Sequence, residues 1–241
     1  MKGAVRRACA GVPLHLALAG LLAALAAGPA AAQPYDPRLG WKTLRTPHFR
    51  VHFHDGLERL ARRVADAAER AHAALVPAFA NDPPGGTEIV LSDDADDANG
   101  SATPIPYDTI RLFAVPPASF SELNDERDWV EGLVSHEYVH ILHLDTVRGW
   151  PAAVNTVFGK LLTPSGYSPP LIVEGLAVLH EGEGEREIDG GRNANALFDM
   201  YERALTLGAF PRLDEVTGQP LQWPRGDLPY LLGGRFFQFI R

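Results

Sequence analysis

From Trp41 onward, apolar positions recur with two different periods. In Trp41–His54 (WKTLRTPHFRVHFH), Phe49, Val51 and Phe53 alternate with Arg50, His52 and His54, the pattern of a half-buried strand. From Leu57 to Phe79 the spacing changes to three and four, through Leu57, Leu60, Val64, Ala67, Ala68, Ala71 and Leu75. That predicts a long amphipathic helix packed on a sheet, stopped by Pro83-Pro84-Gly85-Gly86. Glu88–Leu91 reads as a short strand, Ser92–Gly100 as an acidic loop and Thr109–Ala114 as a further strand. Beyond these the periodicity is helical. Helices are predicted over Asp128–Leu144, Ala152–Leu162, Leu171–His180, Asn195–Leu207 and Asp227–Arg241, with a loop at Thr163–Pro170 and an exposed, acidic, glycine-rich stretch at Gly182–Gly191. The fold class is α+β: an N-terminal mixed sheet with one long helix, then a mostly helical lobe.

The first residues follow another rule. Lys2, Arg6 and Arg7 precede an almost wholly apolar run from Val12 to Ala27, and Pro29-Ala30-Ala31-Ala32 supplies a small-residue cleavage site. Residues 1–32 therefore read as a secretory signal peptide cut after Ala32, leaving an exported, periplasmic or extracellular protein with no stable membrane span. Cleavage removes those three cations and no acid, taking the formal charge from -8 to -11; a chain this acidic is unsuited to nucleic acid. The only cysteine, Cys9, leaves with the peptide, so the mature chain has no disulfide, thiolate nucleophile or cysteine-bound metal. The C-terminal run Phe236–Arg241 is apolar and uncapped, from which we expect the domain at residues 33–241 to be truncated or to continue past Arg241.

The chemistry lies in His136-Glu137-Tyr138-Val139-His140. On a helix the two histidines share one face four residues apart, with Glu137 beside them. That arrangement suits Zn2+ held by both rings and a carboxylate acting as general base toward water. Catalytic zinc usually takes a third protein ligand. Glu174 is the choice, because a charge within Leu171–His180, an otherwise apolar helix, is costly unless paired or metal-bound; Gly175 and Ala177 permit close approach to the motif helix. His143 is the rival, although a third ligand on the same helix strains tetrahedral geometry, and it reads better as a residue behind the metal shell. Asp145 either accepts a proton from a ligand imidazole or is a solvated helix-end residue. Gly100, Ser101 and Ala102 precede a predicted strand and are candidates for an edge along which extended substrate adds, with Gly100 allowing close approach.

His136–His140 and Val173-Glu174-Gly175-Leu176-Ala177, in this order, together resemble the gluzincin metallopeptidases. The chain is most similar to the bacterial peptidase MA-like group, related to the aminopeptidase N catalytic domain; Thr46–Phe53 resembles that group's opening strand. The resemblance spans residues 41–241 and implies a zincin-like fold, with the metal site between sheet and helical lobe, and a peptide or protein substrate. It also implies an oxyanion donor from the last part of the chain, for which Tyr230, before Gly233-Gly234, is the candidate. Thirty-three residues separate His140 from Glu174, a wider gap than in aminopeptidase N-like enzymes, and the Gly-x-Met-Glu-Asn exopeptidase signature is absent, which points to an endopeptidase-like enzyme. Two other functions use the same residues: a non-peptide zinc amidase or hydrolase, and a binding or assembly protein that keeps the fold without turnover.

Overall fold

The computed structural model describes residues 38–118, 121, 123, 128–181, 191–208, 210–217 and 225–241. The predicted signal peptide and all but the last residue of the Gly182–Gly191 stretch lie outside the described residues. Five strands form one mixed sheet in the order β1-β2-β3-β5-β4: β1 Trp41–Arg45, β2 Phe49–His54, β3 Thr87–Ser92, β4 Asn99–Thr103 and β5 Thr109–Phe113. The central pairs β2/β3 and β3/β5 are parallel and the flanking pairs β1/β2 and β5/β4 antiparallel. Trp41–His54 is thus a hairpin whose turn is held by Thr46, which donates its backbone N–H to the Phe49 carbonyl and accepts the Phe49 N–H at Oγ1, 3.1 Å away. Phe49, Val51 and Phe53 point inward, as their alternation predicts.

Helix α1, Glu58–Phe79, covers the sheet with Val64, Ala67, Ala68, Ala71 and Leu75 buried. It ends at Ala80, in the left-handed region, before the Pro-Gly cluster is reached. Helix α2, Trp129–Leu144, begins where Asp128 accepts the Val130 N–H. Every residue from Leu133 to Leu142 is buried, because α2 is enclosed by α1 and by strands β4 and β5 on one side and by the helical lobe on the other. Tyr138 fills the sheet-ward side, its ring 5.2 Å from Phe49 and its hydroxyl 2.8 Å from His72 Nδ1.

The helical lobe contains α3 Trp150–Phe158, α4 Pro170–His180, α5 Ala196–Leu207, α6 Leu213–Thr217 and α7 Leu228–Ile240. Helix α3 is displaced from the predicted Ala152–Leu162. Gly149 and Gly159, both at positive φ, bracket it, and Pro151 occupies its first turn, where proline's missing N–H costs nothing. The short α6 was not anticipated, since five residues show no periodicity. The acidic loop ends earlier than expected, at β4, whose polar NGSAT composition hides a strand. Among the described residues no helix is long and apolar enough to cross a membrane.

Two glycines set the core of this lobe. Helices α4 and α7 cross with Gly175 against Gly233, and a Cβ on either would overlap the partner's backbone. The crossing lies one residue after Glu174 and three after Tyr230, so it brings these two side chains to one place. Gly175→Ala should therefore destabilise the fold by about 1–3 kcal/mol, the usual cost of forcing atoms into a packed interface, read as a lowered denaturation midpoint at unchanged slope.

Candidate metal centre

Helix α2 presents His136 and His140 toward α4, and α4 presents Glu174 back. His136 Nε2 and His140 Nε2 stand 3.2 Å apart, and Glu174 Oε2 lies 3.3 Å from each. Ligand atoms held about 2.0–2.1 Å from a shared tetrahedral centre are separated by roughly 3.3 Å, so the triangle has the edge a metal ion of that size requires. These three residues could hold a metal ion, with both histidines buried. Glu174 Oε2 is shut off from solvent and faces both imidazole nitrogens, so a carboxylate there needs positive charge beside it. The donor set, two imidazoles and a carboxylate, fits a divalent ion and is consistent with a gluzincin-type metal site.

Around the triangle lies a layer that orients it. Glu181, the residue after α4, is buried and places Oε1 2.7 Å from His136 Nδ1, which directs Nε2 toward the centre in the manner of carboxylate-histidine pairs behind metals. Arg192 holds Glu181 in turn: its backbone N–H donates to Glu181 Oε2 at 2.7 Å and its guanidinium pairs with Oε1. The same guanidinium lies 4.9 Å from the centre of the Tyr230 ring, and Tyr230 stacks on His136 at 5.8 Å. Neither Glu181 nor Arg192 was assigned this role from the sequence. The available signal was a second charge closing an apolar helix; its partner, Arg192, is eleven residues further on, across a glycine-rich stretch.

Glu137 lies on the sheet side of the site against β4. A methyl group at Gly100 would come within 2.5 Å of Glu137 Oε1, so only glycine lets the edge strand pass this close. Ser101 is exposed and Ala102 packs on the core. His143 is absent from the ligand group; its Nδ1 is buried without a hydrogen bond among the described residues. Asp145 does not face a ligand imidazole. It caps the end of α2 and pairs with Lys160 Nζ at 2.8 Å, beside Asp108 at 2.6 Å. His180 packs on Phe79 with ring centres 5.3 Å apart.

Electrostatics follow from burial. Burial and Arg192 both lower the basicity of His136, but Glu174 and Glu181 outweigh them and push its pKa up to about 9. Burial raises the Glu174 carboxyl, yet the two imidazoles prevail and hold it well below the usual carboxylate range. Glu137 is pushed up by burial. The Tyr230 hydroxyl is also pushed up, by burial first and then by the Glu174 charge.

No protein-family model, curated protein or solved structure matches this chain. The case for a metal site therefore stands on the geometry.

Without metal, His136 carries a proton below about pH 9, and a metal ion must displace it to reach the Nε2 lone pair. Affinity for zinc should rise about tenfold per pH unit through the neutral range and level off near that value, with proton release visible by calorimetry in buffers of different ionisation enthalpy. Glu181→Gln, which keeps the shape and removes the charge, should weaken retention by roughly 10–100-fold in competition with a chromophoric chelator. Unchanged affinity would remove Glu181 from the site.

Proposed function

We propose that the protein is an exported zinc metallopeptidase of endopeptidase type, related to the peptidase MA-like gluzincins. The observation that carries this reading is the buried triangle of His136, His140 and Glu174 with the Glu137 carboxylate beside it and an open sheet edge running past. The metal, held by those three side chains, supplies Lewis acidity for hydrolysis of a carbonyl compound.

The chain's own residues do the rest. Glu137 is the general base: it takes a proton from the attacking water and returns it to the leaving amine. Its raised pKa suits both halves of that exchange, because a carboxyl in a buried setting holds its proton more readily than one in water. Tyr230, whose hydroxyl stays protonated throughout the neutral range, donates to the oxyanion that develops at the carbonyl. Strand β4 pairs with β5 on one side only, and its free edge is suited to receive an extended peptide by backbone hydrogen bonds. Gly100 brings that peptide next to Glu137. This edge favours peptides over small esters or amides, which have no run of backbone groups to pair. Residues 1–32 supply the export signal, with cleavage after Ala32 expected on N-terminal sequencing of the exported protein.

Glu137→Gln should retain zinc and lose hydrolysis of a peptide library by roughly 10²–10⁴-fold; equal turnover by both proteins would remove Glu137 from the mechanism. Gly100→Ala should also retain zinc while turnover drops, since the new methyl displaces the base. Cleavage of ester and simple amide panels in place of peptides would assign a different hydrolase chemistry. Cleavage of nothing by zinc-loaded protein would leave the fold a binding module.

A further inference from the structure

The segment joining the two metal-binding helices has an unusual surface. Residues 146–173 contain no aspartate or glutamate, in a chain whose 30 acids in 241 residues average one in eight. Within this segment Trp150, Val154, Val157 and Phe158 recur at helical spacing and so share one face of α3. That face is turned outward. Trp150 is 74% exposed, Val157 73% and Phe158 69%, while Pro151 is the one buried residue of the helix. Leu161 extends the stripe, because Asn155 accepts the Leu161 and Leu162 N–H groups and donates to the Leu162 carbonyl, folding the chain back beside the helix. Tyr167 follows at 93% exposure.

The segment is fastened as well as apolar. Lys160 is anchored to the buried carboxylates of Asp108 and Asp145, which spends its charge inward and ties the segment to the sheet and to the end of α2. The charge left at the surface beside Trp150 is Arg148, which is exposed. An outer helical face carrying Trp150, Val157 and Phe158, continued past the helix by Leu161 and Tyr167, with Arg148 before it and no acid within residues 146–173, matches the interfacial zone of a bilayer. There amphipathic aromatics sit at headgroup level and cations meet anionic lipid.

We propose that this segment docks on the surface of an anionic lipid bilayer, with the outer face of α3 inserted among the headgroups and Arg148 at the phosphates. The docking places the metal centre, whose two helices the segment joins, close to the membrane. It does not depend on whether the site turns over.

The test uses the full chain with vesicles of mixed phosphatidylcholine and phosphatidylglycerol. The difference emission between wild type and Trp150→Phe isolates one indole. It is expected to shift to the blue on adding vesicles and to be quenched by lipids brominated on the acyl chains. In Phe158→Ser/Leu161→Ser the lipid concentration giving half of that shift should rise at least about tenfold, since two apolar side chains no longer leave water; unchanged circular dichroism and zinc content establish that this variant is folded. A Trp150 that stays water-exposed on vesicle-bound protein overturns the proposal. So does a Trp150 already shielded without lipid, or one that becomes so with rising protein concentration, because the face is then covered by this chain or by a second copy.

Discussion

Everything in the site answers to a shortage of positive charge. Glu137, Glu174 and Glu181 bring three carboxylates into a region where the two imidazoles are buried, and the cation built into it is Arg192. A low-dielectric interior does not tolerate two uncompensated negative charges. A dication at the centre of the His136, His140 and Glu174 triangle balances the account. A proton on His136, whose pKa is pushed up to about 9, offsets part of that imbalance without metal, and burial shifts Glu137 in the same direction.

That cavity depends on close approaches made possible by missing side chains. Gly175 against Gly233 sets the distance between α4 and α7, and thereby between Glu174 and Tyr230. Gly100 sets the distance between the sheet edge and Glu137. Gly191, at positive φ, leaves room for the Glu181 side chain that orients His136. A small second core of Phe198, Leu205, Leu228 and Leu231 then holds α7 on α5, while Arg235 reaches Glu202 across the same interface at 2.9 Å. A preorganised site needs its side chains held by packed neighbours, and these interfaces supply them to Glu174 and Tyr230.

What could be read from the sequence was whatever obeys a local rule. His136 and His140 are four apart on one helix, so their convergence is a property of the helix itself. Glu174 was legible because a charge among Leu171–Leu179 violates the apolar pattern and needs a reason. The sheet with its long helix followed from periods of two and of three to four. Strand β4 was not legible, because Asn99-Gly100-Ser101-Ala102-Thr103 shows neither alternation nor bulk; it is a strand because β5 offers it a partner and α2 lies against it. The Glu181–Arg192 clamp was hidden for a similar reason. Its two charges meet only through the fold, and nothing about either residue alone points to the other. Asp145 was read as one of two things and does a third, joining Lys160 and Asp108 in a cluster that no local spacing announces.

The thirty-three residues between His140 and Glu174 show how a metal site tolerates distance along the chain. Closing a longer loop costs little, because the entropy grows only with the logarithm of its length, and the ends of this one are held by other means. Helix α2 is buried on all sides and α4 is held by its crossing with α7, so neither helix relies on the intervening chain for its position. Lys160, near the middle, anchors that chain to Asp108 and Asp145 rather than to the metal ligands. The segment is thus free to vary in length and in surface character while the triangle stays intact. It can display an apolar outer face without altering the triangle, because its Lys160 anchor reaches the end of α2 and the residue before β5 rather than the ligands themselves.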